Sequence, residues 1–412
     1  MSVARELATF AVATLAATPV AAQTQAVPAF QPADGVAQCR GVQGYAQDFD
    51  GRRTSHWLAV WLESMAAKAQ SDDAFRQTII RDGEKALGVG PISVTAKTKL
   101  PPGATANDYA SIGPYWWPDP KKKDGLPYIR KDGDVNPERD GPEFDRSRIR
   151  DLAGAMEDLS LAYYITGEER FADHAAMLAR TFFVDPATRM NPNFNFAQGV
   201  PGKVDGRGYG IIEAMEFSTM VEAFGVMAPS AAFDDDLREG LRGWFRDFAI
   251  WLATSENGEE EMRATNNHGV FYDFFLSHFA LYAGDPGVAT NIVNAFPDYR
   301  IGQQMDKQGR FINELKRTRS WHYSHFVVEG AAKLATIGEC VGLDLWTART
   351  EDGRGLGDAW RFLQRYPANA QGWPFPDQDM AAGKTAKLEA TRTEVALLFG
   401  RGSGTEVPAA LP

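Results

Sequence analysis

From His56 to Tyr366 the chain repeats one pattern: apolar residues recur every three or four positions, segment after segment, with polar or glycine-rich breaks between them. That is the period of a helix with one buried stripe. His56 to Ala69 carries Trp57, Val60, Trp61 and Met65 at this spacing. Arg148 to Thr166 carries Leu152, Met156, Leu159 and Tyr163, and Gly167 supplies a stop. The same pattern predicts helices over 168–183, 210–227, 234–254, 267–283, 324–341 and 355–366. Strand signals are sparse, and no repeat is strict enough for a solenoid. The expectation is an all-α fold, an incomplete (α/α) toroid or barrel, built as a single domain over residues 23–412.

Two long stretches, 96–145 and 185–209, interrupt the helices with glycine, proline and asparagine. Loops of this length in a compact protein are functional or disordered. Tyr109, Tyr115, Trp116, Trp117 and Tyr128 argue against disorder, so these loops are predicted to be ordered walls over a cleft. The tail from Arg401 to Pro412 is expected to be mobile. At the other end, Arg5, the apolar run Leu7 to Leu15 and the small residues Val20-Ala21-Ala22 read as a secretion signal over residues 1–22. This predicts a periplasmic or secreted protein. The run is too short to span a bilayer and no later stretch approaches one, so no membrane association is expected. An oxidising compartment would permit a Cys39–Cys340 bond, and two cysteines alone cannot make a cysteine-based zinc site.

The net charge of −11 argues against broad nucleic-acid binding, which needs a basic face. It does not set the field inside a cleft, where local arginines can reverse the sign. The 10 Trp, 12 Tyr and 25 Phe fit either a large helical core or rings that stack on sugars.

Chemistry concentrates in two places. Asn266-Asn267-His268-Gly269 precedes a helical run, where an N-cap belongs. The motif can be only a cap, but a helix N-terminus also attracts anions, and the Asn267 side chain can donate to one. Further on, Lys316, Arg317 and Arg319 precede Tyr323, with His322 between. This can be a solvated basic loop with an aromatic anchor. Alternatively, nearby cations favour the phenolate and lower the phenol pKa, making a tyrosine fit for general base and then acid. Of the six histidines, His278 reads as a core residue. His322-x-x-His325 has no adjoining acidic cluster, so neither a metal nor any other cofactor is expected. The Gly206-Arg207-Gly208-Tyr209-Gly210 run matches no nucleotide fingerprint.

These motifs, together with Tyr115-Trp116-Trp117-Pro118-Asp119-Pro120, Asp124-Gly125-Leu126-Pro127-Tyr128-Ile129-Arg130 and Thr188-Arg189-Met190-Asn191-Pro192-Asn193, resemble the alginate lyase superfamily over residues 90–370. The chain looks closest to polysaccharide lyase family 38 and more distantly similar to family 5. Arg317 stands six residues before Tyr323, one fewer than in the family 5 pattern. The resemblance implies a single catalytic (α/α) toroid domain and a metal-free site at Tyr323, His268, Asn267 and Arg317. It implies an anionic polyuronate as partner, cleaved by β-elimination.

The chemistry fits those groups. The C5 proton of a uronate leaves only if charge developing on its carboxylate is stabilised. One tyrosine can take that proton and return it to O4 when both lie on one face of the sugar, as in β-mannuronate and β-glucuronate. For guluronate or galacturonate the faces are opposite, and His268 would have to be the base. Tyr115 and Trp116 are expected to stack on substrate, and Gln198, Arg207, Arg319, His322 and Arg130 to line its path. Two rivals stand beside this reading. A glycoside hydrolase needs two facing carboxylates, and here only Glu314 borders a motif. A noncatalytic glycan-binding protein would need no tyrosine beside arginines.

Overall fold

The computed structural model describes residues 50–366 and 372–400. Among the described residues, thirteen α-helices of four or more residues run in chain order: α1 Ala59–Ser71, α2 Asp73–Ala86, α3 Arg146–Thr166, α4 Glu169–Ala179, α5 Met215–Met227, α6 Asp235–Thr254, α7 Glu256–Met262, α8 Asn267–Tyr282, α9 Pro286–Phe296, α10 Ser320–Cys340, α11 Leu356–Gln364, α12 Gln378–Ala381 and α13 Thr385–Gly400. The helices pack as successive neighbours, α2 on α3, α3 on α4 and α5, α6 on α8, α8 on α9 and α10, and α10 on α13. This is an open (α/α) toroid, not a closed barrel. One hydrophobic core runs from Trp57 to Leu398. Helices α8 and α10 are buried along almost their whole length. Buried on all sides, they serve as the central staves on which a site can be held rigidly.

Among the described residues, strand is confined to four short pieces: β1 Ala110–Ile112, β2 Trp116–Trp117, β3 Ile129–Arg130 and β4 Phe196–Gly199. β1 pairs with β4 in parallel, and β2 with β3 antiparallel. The long interhelical stretches are therefore ordered, as their aromatics predicted. The glycine-rich run after β4 is a close-packing device. A Cβ at Gly206 would meet the Asn195 carbonyl, and one at Gly210 would meet Ala197.

Helix α10 begins at Ser320, four residues before the sequence-predicted start at 324, and this places Tyr323 on its first turn. Helices α2, α7, α9, α12 and α13 are not among the predicted ones. α2 buries only Gly83 and Ala86, so it lacks a recognisable apolar stripe. Among the described residues, no helix is long and apolar enough to cross a membrane. The predicted leader, Cys39 and the 401–412 tail lie outside the described residues. Cys340, at the end of α10, is disulfide-bonded.

Candidate active site

A cleft of about 690 Å³ lies over the first turns of α8 and α10, roofed by the β2–β3 hairpin and by the segment from β4 to α5. Its lining includes Tyr115, Trp116, Gln198, Arg207, Tyr209, Asn266, Asn267, His268, Arg317, His322 and Tyr323. It also includes Arg130, Arg139 and Arg146, so five arginines face one carboxylate, Glu213. The acidic chain thus carries a locally cationic cleft, suited to an anionic ligand.

Tyr323 is buried, and its hydroxyl lies 2.5 Å from that of Tyr115. The Arg317 guanidinium stacks on the Tyr323 ring, 3.7 Å from its centroid. Arg317 is itself fixed by Asp132, with Nε and Nη2 donating at 3.2 and 3.0 Å. Burial works against the Asp132 carboxylate, yet Arg317 and Arg130 hold its pKa down to about 2. The expectation that cations lower the Tyr323 pKa is corrected here. Burial and then Tyr115 raise it well above its ordinary value, and Arg317 offsets this only in part. Desolvation of a phenolate outweighs one stacked cation, so the resting group is a protonated phenol.

The N-terminus of α8 also departs from expectation. Its first amide, Asn267 N–H, donates to Glu314 Oε1 at 2.5 Å. Asn266 caps the helix by accepting from His268 N–H at 3.2 Å. The Asn267 side-chain amide donates to both oxygens of buried Glu314, at 3.0 and 2.9 Å. The helix end expected to hold a substrate carboxylate is thus already occupied by a protein carboxylate. That leaves Asn267 Oδ1, an acceptor, as the polar atom of this side chain open to a ligand. Burial pushes the Glu314 carboxyl pKa up, against the Asn267 donors that favour its charge.

His268 has a partner the sequence did not reveal. Its Nδ1 lies 2.6 Å from Glu261 Oε1, on α7. Glu261 is fully buried. A carboxylate at Nδ1 fixes the ring and leaves Nε2 as the free nitrogen, the arrangement of a histidine oriented as a base. Tyr209 packs edge-on against the His268 ring, with centroids 4.6 Å apart. His322 also lines the cleft, stacked on Phe326. Burial, then Arg319, lowers its pKa to about 3, so it is neutral at ordinary pH.

The remaining expected residues divide. Tyr115 and Trp116 line the cleft, but Trp117 does not; its Nε1 donates to the Asp134 carbonyl at 2.9 Å. Gln198 lines the cleft at a positive φ of 46°, a strained state for a residue with a Cβ. Arg207 holds it there, with Nε on the Gln198 carbonyl and Nη2 on Oε1, both at 3.0 Å. Arg319 is a correction. It is absent from the cleft lining because its Nε binds buried Asp379 at 2.6 Å. His325 points away too, its Nδ1 2.9 Å from the Trp321 carbonyl, so it does not join His322 around an ion. Among the described residues, only His56, Glu222 and His278 come close enough together to share a metal, and this buried group does not line the cleft.

A helical toroid whose cationic cleft presents a histidine, a tyrosine and stacked aromatics is the frame of a polysaccharide-cleaving enzyme. The family model described as alginate lyase matches residues 93–373. An alginate lyase structure from Bacteroides ovatus matches with 36% identity and a TM-score of 0.80, covering 87% of this chain and 97% of that one. Alginate lyase A1-III from Sphingomonas species A1 matches with 16% identity and a TM-score of 0.51, over 88% of this chain and 90% of that one. A variant of alginate lyase A1-III complexed with a tetrasaccharide also matches, with 18% identity and a TM-score of 0.51, over 77% of this chain and 78% of that one. No curated protein matches. The chain belongs to the alginate lyase family, and it is a polysaccharide lyase.

Proposed function

We propose that this enzyme cleaves alginate or a related 1,4-linked polyuronate by β-elimination without a metal, leaving a 4,5-unsaturated uronate end. The observation that carries the reading is the Tyr323–Tyr115–Arg317 cluster facing the same arginine-lined cleft as the Glu261–His268 pair. A base removes H5, the electron pair forms the C4–C5 double bond, and the C4–O4 bond breaks as O4 takes a proton. For β-mannuronate or β-glucuronate, Tyr323 does both. It acts as the phenolate after its own proton has left to solvent, a form that Arg317 favours against burial and Tyr115, and the phenol re-formed by H5 protonates O4. His268 and Arg317 offset charge developing on the uronate carboxylate. Each role falls to a side chain on the cleft, which is why no ion is assigned one. The reading includes export to the periplasm or medium, supported by the apolar N-terminal run.

A second reading is favoured by one observation, the buried carboxylate behind His268. With His268 Nε2 as base and the resting Tyr323 phenol as acid, H5 and O4 are served from opposite faces, which suits guluronate. Initial rates on purified polymannuronate, glucuronan, polyguluronate and polygalacturonate, with and without a chelator, test both. Preference for polymannuronate or glucuronan supports the single tyrosine, and preference for polyguluronate supports the pair. A clear preference for polygalacturonate would overturn the alginate substrate and the single-tyrosine reading, since its faces too are opposite and only the pair could serve it; loss of activity in chelator restored by one added metal would overturn the metal-free mechanism.

A further inference from the structure

The cleft holds two arginines that neither reading uses. Arg139 follows the β2–β3 hairpin, and Arg146 opens α3. Both line the cleft, and their side chains keep 16% and 15% exposure. Their coordination by the protein is incomplete. Glu213 lies between them, but Oε1 is 3.6 Å from Arg139 Nη2 and 3.9 Å from Arg146 Nε, beyond hydrogen-bond length. The other Glu213 oxygen is claimed by the Tyr109 and Ser111 hydroxyls, at 2.7 and 2.6 Å. Among the described residues, only Arg146 Nη2 has a close partner, Glu216 at 2.6 Å. Arg139 Nε and Arg146 Nε and Nη1 are buried with no acceptor among the described residues. Buried donors are normally satisfied, so three unpaired N–H positions on two adjacent guanidinium groups call for an explanation.

We propose that Arg139 and Arg146 form a second carboxylate subsite, which binds the uronate next to the one being cleaved. The inference rests on the polyuronate reading above. A carboxylate has two oxygens and can accept from two guanidinium groups at once, which Glu213 cannot do while held by Tyr109 and Ser111. The ion pairs of these arginines are with Glu213 and Glu216, whereas the cations that act on Tyr323 are Arg317 and Arg319, so the pair is assigned to a different sugar from the one that reacts. The ligand class follows from the chemistry. A polymer with a carboxylate on every residue fills both sites, and one whose uronates are isolated by neutral sugars fills only one.

The test compares polymannuronate with a partly carboxyl-reduced polymannuronate, in which most remaining uronates have neutral neighbours. For the wild type, KM per uronate should be roughly tenfold higher on the reduced polymer, the scale of one lost charge-assisted contact. Arg139→Gln should bring that ratio close to one, and Arg139→Lys should restore part of it. An equal wild-type KM on the two polymers overturns the proposal whether or not the variants fold. So does a ratio unchanged in a folded Arg139→Gln protein. If the wild type releases no unsaturated product from any polyuronate, the lyase reading fails instead. Calorimetric binding of the two polymers to wild type and Arg139→Gln then decides the subsite by the same ratio.

Discussion

Tyr323 stands between opposing influences. Burial and the Tyr115 hydroxyl keep it protonated, while the Arg317 guanidinium at 3.7 Å eases its ionisation. A group in this position is a ready acid and a base only with help, so removing its hydroxyl should stop chemistry and spare the aromatic contact. Tyr323→Phe is expected to lower kcat by roughly 10²-fold or more, the usual scale for acid–base catalysis. Polymannuronate binding, followed by calorimetry, should persist, and near-normal turnover would exclude Tyr323 from the reaction. The neighbouring histidines give a prediction about stability. Burial pulls the His325 pKa down to about 4 and the His322 pKa down to about 3. Unfolding exposes both rings, whose ordinary pKa is about 6.5. Below that pH the unfolded chain binds protons that the folded chain refuses, so stability falls as pH drops from about 6.5 toward 4. Melting curves of wild type and His325→Gln across this range should converge as the pH falls, because the variant lacks one of the buried imidazoles that refuse the proton. Parallel curves would mean that His325 does not stay neutral in the fold.

At the scale of elements, the first turn of α8 shows why four consecutive residues are so particular. Asn266 caps, Asn267 is clamped by Glu314, His268 reaches Glu261, and Gly269 leaves room. A Cβ on Gly269 would meet the Ala264 carbonyl and the Arg300 guanidinium. That guanidinium is committed to buried Asp273 through Nε at 2.7 Å and Nη2 at 2.8 Å, so it cannot move aside cheaply. Gly269→Ala should cost about 1–3 kcal/mol by overpacking, seen as a lower denaturation midpoint. It should also reduce kcat through displaced His268, and a variant with wild-type stability would show that the turn has slack. This element was legible in the sequence because cap, glycine and apolar run are local signals, and so was the order of most helices. The partners that complete the site were not. Asp132 meets Arg317 across 185 residues, and nothing near either one marks the pairing. Glu261 ends a Glu259-Glu260-Glu261 run that reads as a solvated face, yet its side chain is fully buried on His268. Arg319 misled for a related reason. Arg317 and Arg319 are two residues apart, and Asp132 and Asp379 draw them to different sides.

At the scale of the molecule, two fields act on an approaching polyanion. The chain as a whole carries −11 and repels it, whereas the cleft gathers Arg130, Arg139, Arg146, Arg207 and Arg317 around one carboxylate and attracts it. The two differ in range. Repulsion arises from charge spread over the whole surface, so it is felt at distances where salt screens strongly. Attraction acts within the cleft, at contact distances and in partly desolvated surroundings, where salt screens less. Adding salt to a dilute buffer should therefore remove repulsion first and speed encounter. Once the Debye length shrinks to about 8 Å, near 0.15 M, further salt should weaken the cleft contacts themselves. The expected result is a maximum in kcat/KM on polymannuronate as ionic strength rises, read from the ultraviolet absorbance of the unsaturated product. Neutralising surface carboxylates remote from the cleft should flatten the rising limb and leave the falling limb in place. A steady fall from the lowest salt would mean that the cleft dominates at every distance. A steady rise would mean that its arginines do not attract the polymer at all, and that would remove the electrostatic basis for the substrate class.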